Sequence, residues 1–259
     1  MKGINPHSFK KHELVEQVVR MQTARARNFL RRDDRALVID MHAGDAAGIK
    51  MDQPDFFRGA ESRATPFIAI DAAARLRKLG VLCDVVLYEK SPAARADLAS
   101  RLNGELVYLR GNHRSLLRWD TRRFKLYDFA LVLNDPNGPA GHGDEMLELL
   151  ARQVPKADFV IIVNQSACER INGVPGFSTN PDAPAWARSP EAAEAVHRKH
   201  SWRLNPLEWA RRLHRRTVLE ANRTVGIGAM KGRVLLVTNA PPERTPQNFA
   251  RHDIATRHR

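Results

Sequence analysis

The turn Asn134-Asp135-Pro136-Asn137-Gly138 holds the most chemistry in this sequence. It follows an apolar run, Ala130 to Leu133, patterned as a buried strand. Proline fixes its own φ and biases the residue before it toward extended backbone. Asp135 and Pro136 therefore set a carboxylate and a backbone carbonyl side by side. Two fixed acceptors facing a cleft suit a substrate that carries an amino group. Asn134 and Asn137 flank them and complete the candidate catalytic set. A second turn, His42-Ala43-Gly44-Asp45-Ala46-Ala47-Gly48, follows another apolar strand, Ala36 to Asp40. Ligands of open α/β sheets bind outside the carboxyl ends of the strands, where both turns fall.

The second turn has the composition of a ligand cradle. Ala43, Gly44 and Gly48 are small enough for backbone to approach a bound molecule closely. Glu89, followed by Lys90, ends a further apolar run, and an acidic residue at that place accepts hydrogen bonds from ribose hydroxyls in dinucleotide folds. The other reading of Glu89 is a surface acid beside a helix. Asn112 follows the next strand and is a candidate for adenine contact. His42 and His113 are turn residues or polar contacts before they are ligands or bases. Phe56 and Phe57, between the cradle and the next helix, either cover a ligand or pack on the sheet edge.

Strand and helix patterns alternate around these turns. A helix over His12 to Arg31 is followed by strands at Ala36–Asp40, Val81–Glu89, Glu105–Leu109, Phe129–Leu133 and Phe159–Val163. Helices are predicted between them at Thr65–Leu79, from Pro92 to about Leu102, and at Asp144–Gln153. That rhythm argues for a parallel sheet covered on both faces. Residues 164–189 are rich in Gly, Pro, Ser and Asn and read as a long loop, with Phe177 and Trp186 as lid or packing residues. Helices at Glu191–His200 and Pro206–Arg216 precede two strands, Thr217–Val225 and Arg233–Thr238. Their short glycine-bearing connection permits only an antiparallel hairpin. The fold class is thus α/β, a Rossmann-like sheet, mostly parallel with a C-terminal antiparallel hairpin. The expected division is a basic N-terminal helical segment (1–34), the sheet domain (35–238) and a basic, poorly ordered tail (239–259).

Composition narrows the partners. The 259 residues carry a net charge of +13, with a pI near 10.4. The excess is clustered, with six basic residues against one acidic from Arg110 to Lys125, and eight against three from Arg188 to Arg216. Arginine dominates both clusters, and its planar donors suit phosphate. Arg114, Arg118, Arg122, Arg123, Arg198, Arg211 and Arg212 are the candidate nucleic-acid contacts. No run of about 18 apolar residues is present, and no amphipathic helix accompanies the basic runs, so a membrane is not the expected partner. The first residues lack the apolar core of a secretory signal. Cys83 and Cys168 have no metal-ligand spacing and read as ordinary thiols in a reducing compartment. The expected location is cytoplasmic, and no metal is expected.

The order of these motifs resembles the class I S-adenosylmethionine-dependent methyltransferase fold. Within it the chain is similar to the three-Cys-motif partner proteins. The shared features are the Asp-x-x-Ala-Gly turn (Asp40 to Gly44), an insertion, and a Gly-to-Pro helix start (Gly59 to Pro66). An acidic second-strand end (Tyr88-Glu89-Lys90) and the Asp-Pro-x-Gly turn (Asp135 to Gly138) follow. The likeness runs from about Arg35 to Gln153. It implies S-adenosyl-L-methionine as cofactor, with Asp40 beneath its amino acid end and His42, Ala43, Gly44, Gly48, Glu89, Lys90 and Asn112 around it. Amino-methylating DNA enzymes hold their target in an Asp/Asn-Pro-Pro-aromatic turn, and this chain departs from that form at Asn137 and Gly138.

The expectation is therefore a methyltransferase acting on nucleic acid, DNA before RNA, at an exocyclic base amine such as that of adenine. The alternative is a catalytically inactive protein of the same fold that binds nucleic acid or a partner protein. A nicotinamide oxidoreductase is a third reading. The terminal hairpin and the lack of Gly-x-Gly-x-x-Gly count against it.

Overall fold

The computed structural model describes residues 6–44, 64–102, 105–113, 123, 125–136, 143–164, 201–221, 232–239, 245, 247 and 249–254. The elements run α1 (Pro6–Ala26), β1 (Arg35–Asp40), α2 (Thr65–Arg77), β2 (Leu82–Tyr88), α3 (Pro92–Arg101), β3 (Tyr108–Arg110) and β4 (Phe129–Asn134). They continue with α4 (Asp144–Gln153), β5 (Ala157–Asn164), a 3-10 turn (Ser201–Leu204), α5 (Pro206–Arg212), β6 (Thr217–Ala221), β7 (Gly232–Thr238) and β8 (Phe249–Asp253). The strands form one eight-stranded sheet in the order β3-β2-β1-β4-β5-β7-β6-β8. The first five are parallel. β7 runs antiparallel to both β5 and β6, as the expected hairpin requires.

Local sequence explains most element boundaries. Proline occupies the first turn of α2, α3 and α5, where its missing N–H costs nothing. Ser91 caps α3 by accepting from Ala94 N–H, and Asn205 caps α5 by accepting from Leu207 N–H. Every residue of β4 is buried, and so are the last five of β1, because helices cover both faces. Side chains alternate between two cores. Ala36 and Val38 of β1, with Phe129, Leu131 and Leu133 of β4, meet α1 and α2 residues such as Val15, Val18, Ile68 and Leu76. Leu37, Ile39, Ala130 and Val132 meet Leu147 and Leu150 of α4 and Trp209 of α5.

Several boundaries differ from those the sequence predicts. The first helix begins at Pro6 and ends at Ala26, short of Arg31, and its chain reverses through Asp33 at φ 69°. β3 spans Tyr108–Arg110 because only these residues find partners on β2, at Val86 to Tyr88. Leu106, expected within it, is 79% exposed. α5 stops at Arg212, since His214 turns to φ 51° and the buried Arg215 guanidinium takes the carbonyls of Val154, Ala157 and Leu213. The segment expected as a loose tail contributes β8, paired to β6 from Thr217 to Ala221. Thr217 Oγ1 donates to Asp253 at 2.7 Å, and Glu220 joins Arg233 on β7 to His252 on β8. The predicted helix at 191–200, the loop at 164–189 and Phe56, Phe57, Cys168, Phe177 and Trp186 lie outside the described residues apart from Asn164, which ends β5. No helix among the described residues is long and apolar enough to cross a membrane.

One buried ion pair ties α1 to the sheet. Arg25 donates to Asp158, at the start of β5, at 2.9 Å, and both side chains are nearly enclosed. Burial pushes the Asp158 carboxyl up to about 6, although Arg25 pulls the other way. Arg25→Ala removes the main counter-charge of that carboxylate and leaves it the Thr238 hydrogen bond and the pull of Arg215. The expected loss is about 3 kcal/mol in denaturant unfolding at pH 8. A raised carboxyl pKa opposes folding only once the group ionises, and losing Arg25 lifts the folded pKa further above 6, so the loss should shrink as pH falls from 8 toward 6 and be absent below it. Arg25→Ala combined with Asp158→Asn should recover most of it.

Candidate active site

The strand order reverses between β1 and β4, which are neighbours although β2 and β3 separate them in the chain. Such a reversal opens a crevice at the carboxyl edge. Asp40 ends β1 opposite Leu133 in register, and Met41 N–H continues the pairing to Leu133 O at 3.0 Å. The two turns singled out from sequence therefore emerge side by side.

Alternation decides which side chains meet there. Asp40 lies on the α1/α2 face with Val38, and Asp135 reaches the same side one step after Asn134. Asp40 is fully buried. Its Oδ1 accepts from His42 N–H at 3.0 Å, and the Thr65 hydroxyl at the start of α2 donates to the carboxylate. Oδ2 has no hydrogen-bond partner among the described residues. Burial is the main reason its carboxyl rises to about 7, and nearby Asp135 adds to the rise, while Thr65, His42 N–H and Lys11 oppose it.

Asp135 is covered by the beginning of α1. Lys11 Nζ forms an ion pair with Asp135 Oδ2, with only 21% and 13% of the two side chains exposed. His12 Nε2 stands 3.9 Å from the same oxygen. Burial and Lys11 push the His12 imidazole down to about 4, against the pull of Asp135, so it is neutral at pH 7. Pro136 is buried behind Asp135. Asn134 is buried too, but its strand position directs it to the opposite face.

The glycine turn closes over the β1–β2 edge. Ala43 N–H bonds Tyr88 O at 2.9 Å, and Gly44 N–H donates to Glu89 Oε2 at 3.0 Å. Glu89 Oε1 accepts from Ser91 N–H at 2.6 Å, so one carboxylate holds both the cradle and the start of α3. Each oxygen keeps a second lone pair for a ligand hydroxyl. Gly44 adopts φ +66°, a conformation that favours glycine, and a Cβ there would meet no described residue within 4 Å. His42 and His113 stack edge to face at 4.9 Å, next to Gly143, at φ +64°, the N-cap residue of α4. Lys90 and Asn112 lie exposed after β2 and β3.

The structure thus gathers Asp40, His42, Ala43, Gly44, Glu89 and Asp135 at one edge. It adds Lys11, His12 and Thr65, which sequence reasoning missed. The buried donor Thr65 was marked only by its place before Pro66, and Lys11 and His12 were hidden among the basic residues of α1. Gly48, Asn137, Arg114, Arg118, Arg122 and Arg198 lie outside the described residues. Arg123 is exposed, and so is Arg211 at 58%. Arg212 lies over the Trp202 ring at 3.9 Å and is within 3.7 Å of Glu148 and Glu208. A groove of about 670 Å³ among Arg77, Leu82, Cys83, Leu106 and Tyr108 lies at the amino ends of β2 and β3 and contains none of these residues.

The architecture is a Rossmann-like sheet, mostly parallel with a C-terminal antiparallel hairpin, and its crevice lies at the reversal between β1 and β4. Neither a protein-family model nor a curated protein matches the chain. Solved structures resembling it include protein LPL1258 from Legionella pneumophila, assigned to family model DUF519, at 12% identity and TM-score 0.47 over 92% of this chain and 86% of that one. Precorrin-6y C5,15-methyltransferase from Geobacter metallireducens aligns at 12% identity and TM-score 0.40, covering 86% and 87%. The plantazolicin methyltransferase BamL, in complex with a substrate analogue and SAH, aligns at 10% and 0.43, covering 87% and 84%.

Asp40 carries a measurable signature. Ionising a carboxyl whose folded pKa is raised costs stability, with no cost below about pH 4 and the full cost above 7. Asp40→Asn should therefore melt higher than the parent at pH 8, by on the order of 3 kcal/mol. The difference should vanish near pH 4 in thermal scans of the ligand-free protein.

Proposed function

We propose that this chain is an S-adenosylmethionine-dependent methyltransferase acting on nucleic acid, DNA before RNA, at an exocyclic base amine such as that of adenine. The observation that carries this reading is the meeting of Asp40 and Asp135 at the strand reversal, beside an open left-handed glycine. The buried, unpartnered Asp40 Oδ2 fits an ammonium group, which would draw the carboxyl into its ionised form. Glu89 stands at the rim with lone pairs for ribose hydroxyls, and no described residue stands within 4 Å of the Cβ position of Gly44, where the cofactor would lie. When bound, the cofactor supplies a methyl group on a sulfonium centre.

The chain's own part is positioning. Asp135 and the Pro136 carbonyl accept the two N–H bonds of the acceptor amine and leave its lone pair directed at the methyl carbon. Arranging the reactants and excluding water supply most of the effect, so no strong base is needed. A base in a duplex reaches such a pocket by flipping out. The arginines at 114, 118, 122, 123, 198, 211 and 212 hold phosphates and position without reading sequence. The similarity to the three-Cys-motif partner proteins, through Asp40 to Gly44 and Asp135 to Gly138, belongs to the same reading.

A second reading is a catalytically inactive binder of nucleic acid or of a partner protein. It is favoured by the Lys11 ammonium already paired with Asp135, and by Asn137 where a second proline would stand.

Calorimetric titration with S-adenosylmethionine separates them. Micromolar binding is expected, lost in Asp40→Ala. It should also weaken at least tenfold in Gly44→Val, whose branched side chain enters the open cradle. Asp135→Ala should bind cofactor normally yet lose at least a hundredfold in labelled-methyl transfer to DNA and RNA oligonucleotides. Binding without transfer to either leaves the inactive binder. Failure to bind cofactor, alone and with nucleic acid present, overturns the enzyme.

A further inference from the structure

The acceptor-side carboxylate is not alone. Lys11 comes from α1, far from Asp135 in the chain, and its ammonium forms an ion pair with Asp135 Oδ2. Among the described residues, the charged and titratable groups around Asp135 are Lys11, His12 and Asp40. His12 is buried and contributes no charge at pH 7. Lys11 therefore cancels the formal charge of Asp135, and Asp40 is matched once an ammonium binds beside it. Among the described residues, an acceptor reaching Asp135 meets no uncompensated negative charge, and a positive one meets Lys11 at close range in a mostly buried site.

We propose that Lys11 is the specificity-determining residue of the acceptor pocket, admitting an uncharged aromatic amine and rejecting an alkylammonium group such as a lysine side chain. This rests on the methyltransferase reading above and names its substrate class. Asp135 can still accept an N–H bond from a neutral amine, because an ion-paired carboxylate keeps free lone pairs. An alkylammonium would need the same carboxylate as counter-ion, displacing Lys11 or sharing it with a like charge. Rejection thus comes from a repulsive element as much as from an attractive one.

The test uses the full chain saturated with S-adenosylhomocysteine, with binding of 9-methyladenine and n-butylammonium followed by saturation-transfer NMR. Neither probe carries phosphate, so the basic surface does not contribute. The parent is expected to bind 9-methyladenine at least tenfold more tightly than n-butylammonium. Lys11→Met should shift that ratio at least tenfold toward n-butylammonium, whereas Lys11→Arg, which keeps the charge, should retain the parent's preference. An unchanged ratio in Lys11→Met, or a parent that prefers n-butylammonium, overturns the proposal and leaves the methyltransferase reading intact. Failure of S-adenosylhomocysteine to bind the parent overturns both.

Discussion

The pairing of β1 with β4 is the constraint on which the site depends. Parallel neighbours deliver their carboxyl ends to the same edge, and a strand cannot slip by one residue without moving every side chain from one core to the other. Because Val38 and Leu131 must both face α1 and α2, Asp40 and Asp135 are brought to that side too. The two carboxylates are thus placed by the packing of the strands beneath them. The glycine turn joins the same frame through Ala43 to Tyr88 and Gly44 to Glu89.

Charge in the crevice is graded by depth. Asp40, beneath the edge, carries a carboxyl that burial keeps reluctant to ionise. Asp135, nearer the surface, has its counter-ion supplied by α1. A site arranged this way holds its strongest acceptor for a cation at the bottom and a charge-balanced pair at the mouth. α1 is the element that makes the difference, and it is anchored far from the mouth, by Arg25 on Asp158 and by Val15, Val18 and Val19 in the core.

Much of this was legible in the sequence because parallel strands buried on both faces leave plain apolar runs. β1, β2, β4 and β5 are such runs, and each motif turn sits where its run stops. The antiparallel hairpin followed from the shortness of its connection. β3 was harder, since an edge strand is defined by how much of its neighbour it reaches, and Val107 and Leu106 look like strand residues without finding partners. β8 was hidden for the opposite reason. Phe249-Ala250-Arg251-His252-Asp253 is mostly polar, as an edge strand can be, and its stability comes from Thr217, Glu220 and the exposed backbone of β6. Lys11 and His12 could not be found locally, because a basic residue in a basic helix carries no mark of the carboxylate it will meet 124 residues later.

The place of β8 in the chain has a consequence for synthesis. β6 is mostly buried and apolar, Thr217-Val218-Leu219-Glu220-Ala221, and it has β7 on one side and β8 on the other. A nascent chain that has completed β7 already holds all five parallel strands and their carboxyl edge. Yet it presents β6 as an uncovered strand, the kind of template that joins neighbouring chains. β8 closes it with Arg251, His252 and Asp253, charges that make the new edge unwelcoming to another strand. These few residues therefore end the sheet on a charged edge where β6 alone would leave an apolar one.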